Sequence, residues 1–467
     1  MIVSSIRRIE RALCGRARPC RLILLFLTCS LLGGTVALFP AITIGADPAT
    51  GHWPQWRGPL ATGVAPSSNP PVEWSETKNI RWKTPLPGKG HSTPVIWGNH
   101  VFVTTAIPDG AALEPRFSGV PGAHDNAAIT HHQRYAVLAL DRRTGKILWK
   151  RTVNRQLPHE GAHNTASLAS HSPVTDGKRV YASFGSQGIY ALDMAGKTSW
   201  QVQLGKMITK HGHGEGSSPA LFGNTLVVNW DHEGTSFVVA LDATTGKQQW
   251  KKSRDEVTSW ATPIVVQHAG KPQVIISGTG RVRSYDLATG KINWQCGGLS
   301  ANIVASPVAA DGMVFVGSSY EIRALFGIRL EGARGDITGS KQVAWSRTRG
   351  TPYVPSPLLY GEALYFLSHY QGILSRVNAK TGNNQPGSFR LGPLGNIYAS
   401  PVGAANRVYI TDLDGQTLVM AHDEVPRALA LNKLDDQFSA SAAIAGNCIF
   451  LRGEKSLYCI AKESPGN

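Results

Sequence analysis

Apolar and polar positions alternate in short runs along this chain of 467 residues, as in "RVYASF" (179–184) and "IYALD" (189–193). A period of two places one face of each run in a core and the other toward a neighbour, which predicts β-strands. The runs are bounded by Gly, Asn and Asp, residues that take turn conformations. The pattern also repeats at longer range: "ALDRRTGKILW" (139–149) returns as "ALDMAGKTSW" (191–200), "ALDATTGKQQW" (240–250) and "SYDLATGKINW" (284–294).

Each copy is preceded by a Ser-Pro or Thr-Pro strand, beginning with "STPVIWGNHVFVTT" (92–105) and ending with a worn copy, "ASAAIAGNCIFLRGEKSLYCIA" (440–461). The marker prolines Pro173, Pro219, Pro263, Pro307, Pro357 and Pro401 are 46, 44, 44, 50 and 44 residues apart. Pro94 stands 79 residues before Pro173 because 107–133 is an insertion in the first copy. Eight copies with about four short strands each, at a period of roughly 40–50 residues, predict an all-β chain folded as an eight-bladed β-propeller. Each proline is expected at the first position of an innermost strand, where a missing N–H costs least. In "DxxTGK" the Asp bonds its own turn and the Gly takes the positive-φ position. Trp149, Trp200, Trp250, Trp294 and Trp345 then fall on outermost strands, as flat side chains docked between blades. The eighth copy has no Trp strand after it. "NIRWKTPLPG" (79–88), with Trp82, supplies that strand from the other end and closes the ring, leaving no open edge.

This organisation gives a leader (1–46), an arm packed on the ring (47–78), the propeller (79–462) and a short tail (463–467). The leader carries six Arg and one Glu before and around the apolar run 22–46. It reads as a signal peptide or, through 22–44, as a membrane anchor, and places the protein in the periplasm or beyond. Formal charge is +16, and +11 without the leader, with the basic residues scattered. That balance gives a weak pull toward anionic surfaces and argues against nucleic-acid binding. Outside the leader stand Cys296, Cys448 and Cys459, an odd number and without a CxxC, which excludes a zinc ribbon. Cys448 and Cys459 flank a tight turn and are expected as two buried thiols on neighbouring strands.

Candidate chemistry sits in the loops leading into the inner strands. His91, His163, His171, Trp260, Asn302, Tyr353 and Asn396 are expected around one channel mouth, a mixed aromatic and amide surface suited to a peptide or glycan. In "HGHGE", His211, His213 and Glu215 are spaced two apart, on one side of an extended segment, and suit Zn²⁺ or Cu²⁺. The alternative is that these imidazoles hydrogen-bond loop backbone. Glu215 is the one carboxylate in the loop segments so read.

The "ALDxxTGKxxW" unit with its preceding "SP" strand resembles the repeat of the pyrroloquinoline-quinone (PQQ) propeller family over residues 79–462. "WPQWRGP" (53–59) and "GTPYVPSPLLY" (350–360) resemble secreted PQQ-like propellers of planctomycete-type bacteria. The resemblance implies either a quinoprotein dehydrogenase of alcohols or sugars, using PQQ with Ca²⁺, or a non-catalytic propeller of the BamB type that binds envelope partners. The enzymes for alcohols carry an adjacent Cys-Cys pair, which is missing here, and hold Ca²⁺ with several oxygen ligands. The expectation is therefore an exported, monomeric, non-catalytic binding or assembly scaffold without cofactor, with the dehydrogenase and a His-loop metal protein as alternatives.

Overall fold

The computed structural model describes residues 51–369 and 371–462; the expected leader and tail lie outside the described residues. Eight blade sheets follow one another along the chain, numbered here as blades 1 to 8; seven have four antiparallel strands, and blade 4 gains a short fifth strand. Blade 1 comprises Val95–Trp97, His100–Asp109, His132–Asp141 and Ile147–Gln156, with the insertion between its second and third strands. Blade 8 comprises Ala443–Ala445, Cys448–Arg452, Ser456–Ala461 and, as its outermost strand, Ile80–Pro85 from the far end of the chain. Trp82 pairs with Cys459 and Thr84 with Leu457, so the ring is closed by the N-terminal strand.

The blades pack through apolar faces that alternate along each strand. One cluster joins Phe102, Val137 and Ala139 of blade 1 to Val180, Ala182 and Leu192 of blade 2; equivalent clusters lie between the later blades. Five of the six docking Trp residues lie over the turn of the next blade. The indole N–H donates to the carbonyl one residue past the turn's Asp or Asn. Trp82 reaches Arg142 (3.0 Å), Trp149 reaches Met194 (2.9 Å) and Trp200 reaches Ala243 (2.9 Å). Trp250 likewise reaches Leu287 and Trp345 reaches Ala379, both at 2.8 Å. Trp294 differs: its N–H stays within blade 4, on Gln273 Oε1 at 3.0 Å. Blade 5 has no DxxTGK turn to meet it, and its insertion instead lays Gly335–Asp336 as a short parallel strand beside Ile292–Gly297.

The marker prolines fall one residue before the inner strands rather than at their first positions, as at Pro173 before Val174–Thr175. The reason lies in the preceding hydroxyl residue. The Thr93 N–H donates to Ser172 Oγ, Ser172 to Ser218, Ser218 to Thr262 and Thr262 to Ser306. Ser306 then donates to Ser356, Ser356 to Ser400 and Ser400 to Ser441, every bond between 2.8 and 3.0 Å. Seven bonds thus lace the eight inner strands into a belt. At the junction of blades 8 and 1 the buried Arg452 takes over, donating to Ser92 Oγ (2.7 Å) and the Thr104 carbonyl.

The arm runs across the ring from blades 1 and 2 to blades 6 and 7. Trp53 exchanges backbone bonds with Ile96 of blade 1, and the Pro54 carbonyl accepts from Thr175 of blade 2. Across the axis, the Thr62 carbonyl accepts from Leu359 of blade 6, and Gly63 and Ala65 bond Gly403 of blade 7. Between them the buried Arg57 donates to the carbonyls of Pro357 (3.0 Å) and Pro401 (2.8 Å).

Candidate functional site

The loops that feed the inner strands surround a central cavity of about 710 Å³. Its wall includes His91, His163, Trp260, Asn302, Tyr353 and Asn396, so six of the seven residues expected at the mouth come together there. His171 does not. It is buried behind the wall in a separate chamber of about 20 Å³, beside Tyr135, His159 and Glu215. Loop geometry explains the split. Bonds among Ser167, Ala169 and Ser170 make a tight turn just before His171, which is buried.

Trp260 is fixed by its own bonds. Its indole N–H donates to the Gly214 carbonyl (2.7 Å), and its backbone N–H to Ile303 (2.8 Å). Asn302 and Asn396 both take positive φ, 57° and 50°, which short amide side chains tolerate better than most. His91 is deeply buried, and desolvation, with Lys89 and Arg452 nearby, pushes its imidazole down to about 3. Burial alone pushes His171 down to about 4. Both rings are therefore neutral at physiological pH.

The expected metal set does not assemble. Lys210–Gly212 forms a turn of 3₁₀ helix with His211 at φ 58°, so the alternation expected of an extended segment is broken. Glu215 turns away from both histidines to accept from the Ser186 N–H (2.6 Å) and Ser186 Oγ (2.5 Å). Among the described residues no group of three His, Cys, Asp or Glu side chains is placed to hold a metal ion. Burial raises the Glu215 carboxyl to about 7, against those two hydrogen bonds. What stands beside His211 and His213 instead is His124, from the insertion, at ring-centroid distances of 4.6 and 4.9 Å. His163 lies 4.7 Å from His213. Burial and then these neighbouring imidazoles push His213 down to about 4.

The structure adds wall residues that the loop reading passed over. Trp56 reaches the cavity from the arm, while His124 and Asp125 come from the insertion. Glu160 joins the small chamber, where it accepts from the Thr209 N–H and hydroxyl at 3.0 and 2.8 Å. Belt hydroxyls of Ser172, Ser218, Thr262, Ser400 and Ser441 also face the cavity. The described wall contains no Lys or Arg.

An eight-bladed ring with an aromatic- and amide-lined cavity at its centre defines a β-propeller with a central polar cavity. The chain belongs to the PQQ-like propeller family: the profile described as outer membrane protein assembly factor BamB matches residues 110–253 and 234–464. A polyvinylalcohol dehydrogenase of a Pseudomonas species is 25% identical over 42% of this chain, and the match spans only 40% of that relative's length. Among solved structures, the quinohemoprotein alcohol dehydrogenase of Comamonas testosteroni is similar at a TM-score of 0.57 with 10% identity, covering 89% of this chain and 82% of that one. BamB from Moraxella catarrhalis has a TM-score of 0.49 and 15% identity, covering 76% of this chain and 98% of that one.

Proposed function

We propose that this chain is an exported, monomeric, non-catalytic propeller of the cell envelope whose channel mouth binds a neutral polar segment of a peptide or glycan. The observation that carries the reading is the make-up of the cavity wall. Trp56, Trp260 and Tyr353 offer flat faces, Asn302 and Asn396 offer amides, and the belt offers hydroxyls, without a fixed positive charge. Such a wall stacks against sugar rings or peptide planes and orients them by a few polar bonds. The family description as an assembly factor supports the same reading.

The similarity to a polyvinylalcohol dehydrogenase favours a second reading, an oxidoreductase carrying PQQ and Ca²⁺. The residues present do not fit that group. PQQ bears three carboxylates, whereas the described wall offers no Lys or Arg and adds the carboxyls of Asp125 and Glu215. A hard cation needs several oxygen ligands, and Glu215 is already engaged by Ser186.

Calorimetry against peptide and oligosaccharide panels tests the first reading: saturable binding that weakens at least tenfold in Trp260→Ala supports it. Saturable dye reduction with primary alcohols or aldoses, in protein reconstituted with PQQ and Ca²⁺ and lost in Glu215→Gln, would establish the second.

A further inference from the structure

The insertion in blade 1 is attached to the ring in a different way from every blade strand. No residue between 108 and 134 belongs to any of the seven hydrophobic clusters. Residues 110–131 make no ion pair among the described residues, and Leu113 and Phe117 are exposed. The base of the segment is pinned: Arg116 and Ile129 exchange backbone bonds, Arg116 Nη2 donates to the Pro158 carbonyl (2.7 Å), and Ile129 is buried.

Beyond that base, the tip is held by polar bonds to two loops. The Gly122 carbonyl accepts from His211 Nδ1 (3.0 Å), and the His124 carbonyl from His213 Nε2 (3.2 Å). Asn126 Nδ2 donates to the His211 carbonyl (3.0 Å), and the Asn164 N–H to the Asp125 carbonyl (2.8 Å). Asn126 and Ala127 also pair with His163 and Ala162 as a two-residue ladder. The same tip places His124 and Asp125 in the wall of the central cavity.

We propose that residues 117–128 form a movable wall of the ligand cavity, latched closed by His211 and His213, and that its opening admits the ligand. The physical reason is the kind of contact. A segment with few apolar contacts, held by partly exposed hydrogen bonds, opens at a small fraction of the global unfolding free energy. Gly212, at φ 65°, lets the tip lie close, since an added Cβ there would meet the Ser118 side chain. The role as a cavity wall rests on the binding reading above; the motion does not.

Amide hydrogen exchange on the full-length protein tests it without any ligand. Amides of 117–128 are expected to exchange at least a hundredfold faster than those of the third strand of blade 1, such as Val137–Leu140. In the double variant His211→Phe, His213→Phe, which keeps the rings and removes the latch bonds, exchange in 117–128 should rise about tenfold further with the blades unchanged. Exchange in 117–128 as slow as in the blade strands would overturn the proposal, as would a wild-type rate retained in the double variant. A second measurement guards against a misfolded variant. Ala127→Cys with Ala162→Cys joins a directly opposed pair, and its oxidised form should slow exchange in 117–128, reversibly with dithiothreitol. Failure of peptide or glycan binding with these exchange results intact would remove the binding reading and leave the mobile wall standing.

Discussion

The residue pair that marks five of the eight blade junctions is a Trp packed over a Gly. An added Cβ at Gly145 would stand 2.6 Å from Trp82, at Gly196 2.7 Å from Trp149, and at Gly290 2.5 Å from Trp250. The same glycines hold φ of 67–83°, so the TGK turn needs Gly twice over, for its backbone and for the indole above it. Trp250→Ala removes a buried aromatic and strands the Leu287 carbonyl. It is expected to cost about 3–5 kcal/mol by denaturant unfolding while leaving ligand affinity in the folded protein unchanged. Loss of binding without loss of stability would sink the docking role. A second residue-scale prediction concerns Glu215, raised from 4.5 to about 7 by burial. The native state keeps that proton between those values, whereas the unfolded chain has lost it. Stability therefore falls as pH rises through this window and levels above pH 7. Glu215→Gln should abolish this contribution, up to about 3 kcal/mol, and so gain relative to wild type at pH 8 but not at pH 4. Parallel pH profiles for the two proteins would contradict it.

At the scale of the element, the blade strands were legible because turn chemistry and period-two patterning agree in most copies. The Ser or Thr before each proline was equally visible, yet its role was not, because the partner of each hydroxyl lies one blade away, 41 to 79 residues along the chain. The belt makes a sharp prediction. Ser306→Ala leaves the Thr262 N–H buried without its acceptor and should cost about 1–3 kcal/mol. Ser306→Thr keeps the hydroxyl and should recover most of that loss, measured by thermal unfolding; equal losses in both variants would show that packing rather than the bond matters. The site was legible only in part for the same reason. Loops next to inner strands point at the axis by position, so His91, Trp260 and Asn396 could be placed. His124 and Trp56 enter from an insertion and an arm whose paths no local pattern encodes, and the spacing of His211, His213 and Glu215 misled because Gly212 and Gly214 bend the chain out of extension.

On the scale of the whole molecule, the first described segment does two separable jobs. Residues 51–78 run across the ring, with Trp56 in the cavity and Arg57 on two inner-strand carbonyls, while 80–85 completes blade 8. Removing 47–78 should leave the ring closed: the strand pairing of Ile80–Pro85 remains, although Arg57 and the Trp53–Ile96 bonds are lost. That variant is expected to stay monomeric, melt at a lower temperature and bind ligand more weakly through loss of Trp56. Removing 47–88 goes further. It bares the edge of Ser456–Ala461, a strand buried along its whole length, and takes Trp82 off the turn of blade 1. An unpaired apolar edge of this kind recruits other chains. Light scattering should therefore report aggregation for the longer deletion and a monomer for the shorter one. Two monomers of equal melting temperature would mean that the N-terminal strand does not carry the closure.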